Sequence, residues 1–296
     1  MELTGMNGAP ADSVPTPVLL IGASGMLGRA WSQLLSVRDI EFTAPPREEL
    51  DLAKPRTIGR FLDQRFATVI NCAAWTDVDG AEANHATADL VNGHGVTELA
   101  GRCAQLGTLL IHYSTDYIFD GTSTHPRAVE EPTLPINAYG RSKLIGDLSV
   151  RQAGGNYLLI RTSLLYAPWG ENFVRTMAKL VRERPNIKVV NDQRSCPTSC
   201  EHLASITLRL LGKGVSGVYH VTDGGDCTRH ALACEIARTV NPACSVEPCS
   251  SEEFPRPAPR PRYSVLDTSR AESLLGPMSP WETNLSDVLD RLEHPL

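Results

Sequence analysis

The stretch VLLIGASGMLGRAW, residues 18–31, decides the fold. Four apolar residues read as a buried strand, and Gly22, Gly25 and Gly28 then fall across a turn and the start of a helix. On that helix Met26, Leu27, Ala30, Trp31, Leu34 and Leu35 recur at helical spacing. Each glycine has its own reason: a sharp bend, a close backbone approach to an anion, and tight packing of helix on strand. A helix entered this way directs unpaired N–H groups at whatever lies before it, which favours a phosphate. The glycine triplet alone also describes a plain strand-to-helix turn. The strand before it and the helix after it favour a dinucleotide pyrophosphate site.

Outward from this turn, IEFT (40–43), TVINC (68–72), TLLIHY (108–113) and NYLLIR (156–161) read as further strands, short and apolar on both faces. That pattern belongs to a parallel sheet covered by helices, and Val96, Leu99, Ala100 and Cys103 mark one such helix ending at Gly107. The expected fold is α/β, a doubly wound parallel sheet. After Arg161 proline rises, with strands at IKVV (187–190) and GVYHV (217–221) and helices near 171–183, 201–211 and 228–240. This reads as a smaller mixed α/β lobe. The expected division is a dinucleotide-binding domain over 17–165 and a substrate-binding lobe over 166–296, some of whose segments return to the first sheet. PRPAPRPRY (255–263) can be neither helix nor central strand, so it is a spacer or a lining of the cleft.

Composition sets the limits of function. With 42% hydrophobic and 21% charged residues, the 296-residue chain can bury a substantial core. A net charge of -6 argues against a nucleic-acid partner. No apolar run approaches the roughly 18 residues that cross a bilayer, so no membrane partner is expected. The first seventeen residues contain no Lys or Arg and read as a polar tail, not a targeting signal. Eight cysteines without CxxC pairing read as reduced thiols of a cytoplasmic protein, and His112, His220 and His230 have no metal-triad spacing.

The chemistry is expected at two places. In PINAYGRSKLIGDLSVRQAGG (135–155), Tyr139 and Lys143 stand at i and i+4 on one helical face, ahead of a Gly154–Gly155 stop. Tyrosine is a weak acid, and an adjacent ammonium is expected to lower its pKa and bring it into range as a proton donor. In YSTDYIFDG (113–121), Ser114, Thr115 and Asp116 emerge from the carboxyl end of a strand, where ligands bind in open sheets. A hydroxyl there can polarise a carbonyl, so Thr115 or Ser114 with Tyr139 and Lys143 forms a set for carbonyl reduction. The acid usually found at the end of the second strand is absent, and Arg47 just beyond it favours NADPH over NADH through the 2′-phosphate.

The motifs STDYIFDG (114–121), NAYGRSK (137–143), NDQRSCPTS (191–199) and RPRYSVLD (260–267), with INCAAWTDVDGAE (70–82), resemble the dTDP-4-dehydrorhamnose reductase family of extended short-chain dehydrogenase/reductases. Blocks in the family's order run through nearly everything from residue 17 onward. The resemblance implies a Rossmann-like fold and hydride transfer from NADPH or NADH to C4 of dTDP-4-dehydro-β-L-rhamnose, or of another dTDP-linked 4-keto-6-deoxyhexose. It implies that Gly25, Met26 and Leu27 meet the pyrophosphate, and that Asp51 and Leu52 lie near the adenine. It further implies that Ala74, Trp75, Thr76, Tyr139 and Lys143 touch the cofactor, and that Thr115 and Asp116 face the sugar. Leu164 departs from the family's RTSWxY, leaving an apolar wall without its aromatic face. The family's Mg²⁺ finds no carboxylate cluster in the sequence, and a homodimer is left open. Two alternatives stand beside this reading. A non-catalytic relative, similar to the regulatory subunit of methionine adenosyltransferase, is disfavoured by the retained Thr115, Tyr139 and Lys143. An epimerase is disfavoured by the blocks after residue 160.

Overall fold

The computed structural model describes residues 14–293. Most of the expected polar tail lies outside these residues. Its last part is not loose: Val14 is buried in the core, and the Pro15 carbonyl accepts the Thr68 hydroxyl at 2.7 Å.

In chain order the strands are β1 (Val18–Ile21), β2 (Phe42–Thr43), β3 (Thr68–Asn71), β4 (Leu109–Thr115), β5 (Tyr157–Thr162), β6 (Leu165–Tyr166), β7 (Asn186–Val190), β8 (Arg194–Ser195), β9 (Thr198–Ser199), β10 (Gly217–His220), β11 (Cys227–Thr228) and β12 (Ser245–Cys249). The helices are α1 (Met26–Val37), α2 (Pro55–Phe61), α3 (Val78–Ala83), α4 (His85–Asp89), α5 (Gly95–Leu106), α6 (Ala138–Gln152), α7 (Phe173–Glu183), α8 (Cys200–Gly212), α9 (Arg229–Val240), α10 (Ser269–Leu275) and α11 (Trp281–Glu293). A π-helical turn, Leu90–His94, joins α4 to α5.

The main sheet has the order β2-β1-β3-β4-β5-β10, and every pairing in it is parallel. The expected α/β doubly wound class is therefore the observed one. Alternation along the strands sends Val18, Leu20, Ile70, Ile111, Tyr113 and Ile160 into one core with α1 and α8. Leu19, Ile21, Val69, Leu110 and Leu159 go into the other, against α2, α5 and α6. A third core belongs to the smaller lobe, where α7, α9 and α11 enclose Met177, Ile187, Ile236 and Leu285 beside the parallel pair β7–β12. The late strand β10 pairs with β5 and completes the main sheet.

Local signals fix the helix ends. Asn137 caps α6 by accepting from the Gly140 amide at 2.7 Å. Helix α5 stops where Gly107 turns left-handed at φ 70°, with Thr108 N donating back to Cys103 O at 3.0 Å.

One polar pair crosses this apolar interior. Arg161 on β5 donates to both oxygens of Asp147 on α6, at 2.8 and 3.0 Å, and to the Val129 carbonyl at 2.9 Å, with arginine and aspartate both buried. The fork geometry satisfies both oxygens of the carboxylate and anchors α6 to the sheet. Removing one partner leaves an unpaired buried charge, which costs about 3–5 kcal/mol. Asp147→Ala is therefore expected to lower unfolding stability by that amount in urea titration; a loss below about 1 kcal/mol would show that the pair does not anchor α6.

Candidate active site

The turn after β1 is shaped by close backbone contacts. Gly22 has φ 78°, and a Cβ there would sit 2.6 Å from the Ala73 nitrogen, so the chains leaving β1 and β3 touch backbone to backbone. A Cβ on Gly28 would sit 2.0 Å from the Gly22 carbonyl oxygen. Gly25 is different: it is exposed, and the nearest atom to an added Cβ is Gly22 O at 3.4 Å. The fold therefore requires glycine at 22 and 28 but leaves open space at 25. Gly25 caps α1 without a side-chain bond, and its amide donates to Gly22 O at 3.1 Å; with no acidic residue in the first turn, the helix start at Met26 and Leu27 is open to an anion. Met26 is braced from the other half of the chain, its carbonyl accepting from Trp169 Nε1 at 3.0 Å.

This turn lies at the switch point of the sheet, since the chain runs from β1 outward to β2 and then returns across to β3. Leaving β3, Ala74 and Trp75 are half-buried and Thr76 is exposed. Asn92, on the π-helical turn, accepts from the Trp75 amide at 2.8 Å and donates to its carbonyl at 3.0 Å and to Ser142 on α6 at 3.0 Å. One side chain thus ties the loop after β3 to α6. Asp51 is buried and accepts from the Ala53 amide at 2.9 Å, while the Leu52 carbonyl lies where a Cβ on Gly95 would come within 2.2 Å. Arg47 is exposed over 74% of its side chain and faces Asp51 at 3.4 Å.

The residues expected to handle the proton converge at the carboxyl end of β4. Lys143 is buried and donates to the Tyr113 carbonyl at 2.7 Å. Burial pushes its ammonium down to about 8, with Asp147 opposing. The Tyr139 phenol moves the other way from the expectation: burial raises it, Asp116 and Tyr117 add to the rise, and the Thr115 hydroxyl opposes. Desolvation of the phenolate outweighs any lowering by Lys143, so the phenol holds its proton through the neutral range. Tyr117 meets the Tyr139 ring edge-on, with centroids 6.0 Å apart.

Thr115, at the end of β4, donates to Asp116 Oδ1 at 3.0 Å and accepts from the Tyr117 amide at 3.2 Å. Its proton therefore points to the carboxylate and not into the cleft. Asp116 is buried and also accepts from Ser163 at 2.8 Å; burial raises its carboxyl, and these hydroxyls hold it back. Ser114, the alternative hydroxyl, is buried with no partner among the described residues.

Leu164 takes φ 41°, an unusual conformation for a leucine, and packs partly against the core of the smaller lobe. His112 is buried beneath α6. Asn71 gives its oxygen to the Ala73 amide at 3.1 Å and its nitrogen to His112 Nδ1 at 3.0 Å, which places the imidazole proton on Nε2. Burial, aided by the Lys143 charge, keeps this ring neutral. Neither Asn71 nor Asn92 stood out in the sequence, because each acts across strands or helices distant in the chain.

All eight cysteines are free. Among the described residues no three His, Cys, Asp or Glu side chains gather closely enough to hold a metal, so no donor set for Mg²⁺ can be named. Among them, too, no helix is long and apolar enough to cross a membrane.

The model of the RmlD substrate binding domain matches residues 16–294. A dTDP-4-dehydrorhamnose reductase of Burkholderia thailandensis is 38% identical over 278 residues, covering 88% of this chain and 93% of the relative. A dTDP-4-keto-6-deoxy-D-glucose reductase of Streptomyces niveus is 39% identical, covering 93% and 96%. The crystal structure of dTDP-4-dehydrorhamnose reductase from Bacillus anthracis in complex with NADP superposes with a TM-score of 0.88 at 32% identity, covering 93% of this chain and 98% of that one. With the family model matching residues 16–294 and these relatives matching over most of both chains, the chain belongs to the dTDP-4-dehydrorhamnose reductase family of extended short-chain dehydrogenase/reductases.

Proposed function

We propose that the protein reduces the C4 ketone of dTDP-4-dehydro-β-L-rhamnose to dTDP-β-L-rhamnose with NADPH. The observation that carries this reading is the meeting of Tyr139, Lys143 and Thr115 at the carboxyl end of β4, beside a helix start left open for a pyrophosphate. The relatives named as reductases of such dTDP-sugars support the substrate class.

The bound nicotinamide supplies the hydride. Gly22, Gly25, Met26, Leu27 and Gly28 would hold its pyrophosphate, Asp51 and Leu52 would lie by the adenine, and Ala74, Trp75 and Thr76 would flank it on the β3 side. Arg47, exposed and paired with Asp51 at 3.4 Å, is the cation assigned to the 2′-phosphate. Residues 17–165 carry this part of the site. Residues 166–296 mainly receive the sugar nucleotide, apart from β10, which returns to the sheet.

Tyr139 donates the proton to the ketone oxygen as the hydride arrives at C4. Its raised pKa keeps that proton in place until negative charge develops on the substrate oxygen. Thr115 exchanges its bond to Asp116 for one to the same oxygen, and Asp116 faces the sugar. Lys143 offsets the charge left on the phenol and holds the nicotinamide ribose.

A second reading rests on Leu164. The apolar wall without an aromatic face suits a related dTDP-4-keto-6-deoxyhexose, and the Streptomyces niveus relative is named for such a sugar.

Purified protein given dTDP-4-dehydrorhamnose is expected to consume NADPH, and Tyr139→Phe to lose about 10²- to 10⁴-fold in kcat. An unchanged rate would remove Tyr139 as the acid. Because Lys143 is charged below about 8 and neutral above it while Tyr139 stays protonated, kcat/KM for NADPH should be level near pH 7 and fall above about 8. A profile flat to pH 9.5, about 1.5 units above that value, would show that the Lys143 charge is not used.

A further inference from the structure

Asp79 stands on α3, in the first half of the chain, yet its partners are in the proline-rich segment 255–263. Its Oδ2 accepts from Arg256 Nε at 2.9 Å and Nη2 at 2.5 Å. Its Oδ1 accepts from the Ala258 amide at 3.1 Å and from Arg260 Nη1 at 2.7 Å. One carboxylate, with 18% of its side chain exposed, thus faces two guanidiniums and a backbone amide. The four prolines of this segment offer no amide, so the arginines and Ala258 supply its donors to Asp79, while the Tyr263 amide donates to the Gly121 carbonyl at 3.2 Å. Arg260 Nη1 also donates to the Ala258 carbonyl at 2.7 Å, closing the segment on itself.

The next link leads to α6. The Pro259 carbonyl accepts from Asn137 Nδ2 at 2.9 Å, and Asn137 is the fully buried cap whose Oδ1 holds the Gly140 amide. Glu82, three residues after Asp79 and on the same side of α3, accepts from the Ala138 amide at 2.7 Å. Helix α3 therefore holds the first turn of α6 twice, directly through Glu82 and indirectly through Asp79, the proline-rich segment and Asn137. Tyr139 lies between the two amides so fixed. Farther along the segment, Pro261 packs against Gly121, where a Cβ would sit 2.5 Å from its ring.

We propose that Asp79 is a positioning residue for the ketone reduction: its carboxylate latches segment 255–263 over the N-terminus of α6, so that docking this segment and aiming the Tyr139 phenol are one event. The proposal rests on the reading of Tyr139 as the acid. Asp79 itself touches neither the phosphate turn nor the phenol, so its removal should spare cofactor affinity and damage the reaction.

The test compares the full chain with Asp79→Asn, which keeps the shape and removes the charge, and Asp79→Glu, which keeps the charge. Amide hydrogen exchange is followed in 137–143 and 255–263, with kcat on the 4-ketosugar and the NADPH dissociation constant measured alongside. Asp79→Asn is expected to speed exchange in both segments and to lower kcat about 10- to 100-fold, the scale of a roughly 1 Å misplacement of a reacting group. NADPH affinity should stay within about twofold, and Asp79→Glu should recover part of both losses. Unchanged exchange in 137–143, unchanged kcat, or a loss of NADPH affinity that matches the loss of kcat would each overturn the proposal. If Asp79→Asn does not fold, Arg256→Gln at the exposed end of the latch should give the same pattern at smaller amplitude, and an unchanged pattern would count against it. If the unmodified protein reduces no 4-ketosugar, the reading of the preceding section fails, and the latch then stands or falls on the exchange pattern alone.

Discussion

The backbone contact between Gly22 and Ala73 is the constraint on which the rest of the site depends. A parallel sheet that winds in two directions must part its chains after β1 and β3, and the gap so formed is where a ligand can reach the strand ends. Here the parting is as tight as a backbone permits: φ 78° at Gly22, with no room for a Cβ. That closeness sets the start of α1 and the loop carrying Ala74 and Trp75 on opposite sides of the gap. Asn92 then fixes the loop to α6, so the helix bearing Tyr139 and Lys143 takes its position from the same turn.

The energetics of the proton-handling group follow from burial more than from its charges. Lys143 and Tyr139 are both desolvated, and desolvation moves each toward its neutral form: the ammonium down, the phenol up. The two pKa values move apart, so the phenol keeps its proton at rest and a phenolate beside the ammonium forms only as that proton leaves for a substrate oxygen. The Tyr113 carbonyl and the buried Asp147 hold Lys143 where that state can be reached. Asp147 also binds Arg161, so an ion pair that anchors α6 contributes to the electrostatics of the face that carries Tyr139 and Lys143.

Much of this was legible in the sequence, because its signals are local. A strand, three glycines and an amphipathic helix specify the glycine turn within fourteen residues. The i, i+4 spacing of Tyr139 and Lys143 requires only that the segment be helical, and Asn137 and Gly154 mark its ends. What was not legible depends on contacts across the chain. The upward movement of the Tyr139 phenol depends on how deeply α6 is packed, which no spacing reveals. The direction of the Thr115 proton depends on Asp116 being buried beside Ser163. The proline-rich segment could be read as spacer or as cleft lining, because its partner Asp79 lies 177 residues away. Leu164 was visible as a departure from the family, but its positive φ and its packing against the smaller lobe were not.

In the proposed reaction hydride reaches C4 of a dTDP-linked ketosugar while Tyr139 protonates the oxygen. Its most direct test is to supply NADPH dideuterated at C4 of the nicotinamide with dTDP-4-dehydrorhamnose and to locate the label in the product by NMR. Deuterium is expected at C4 of the sugar alone, in the rhamnose configuration. Deuterium at another carbon, or a reduced sugar without label, would contradict it.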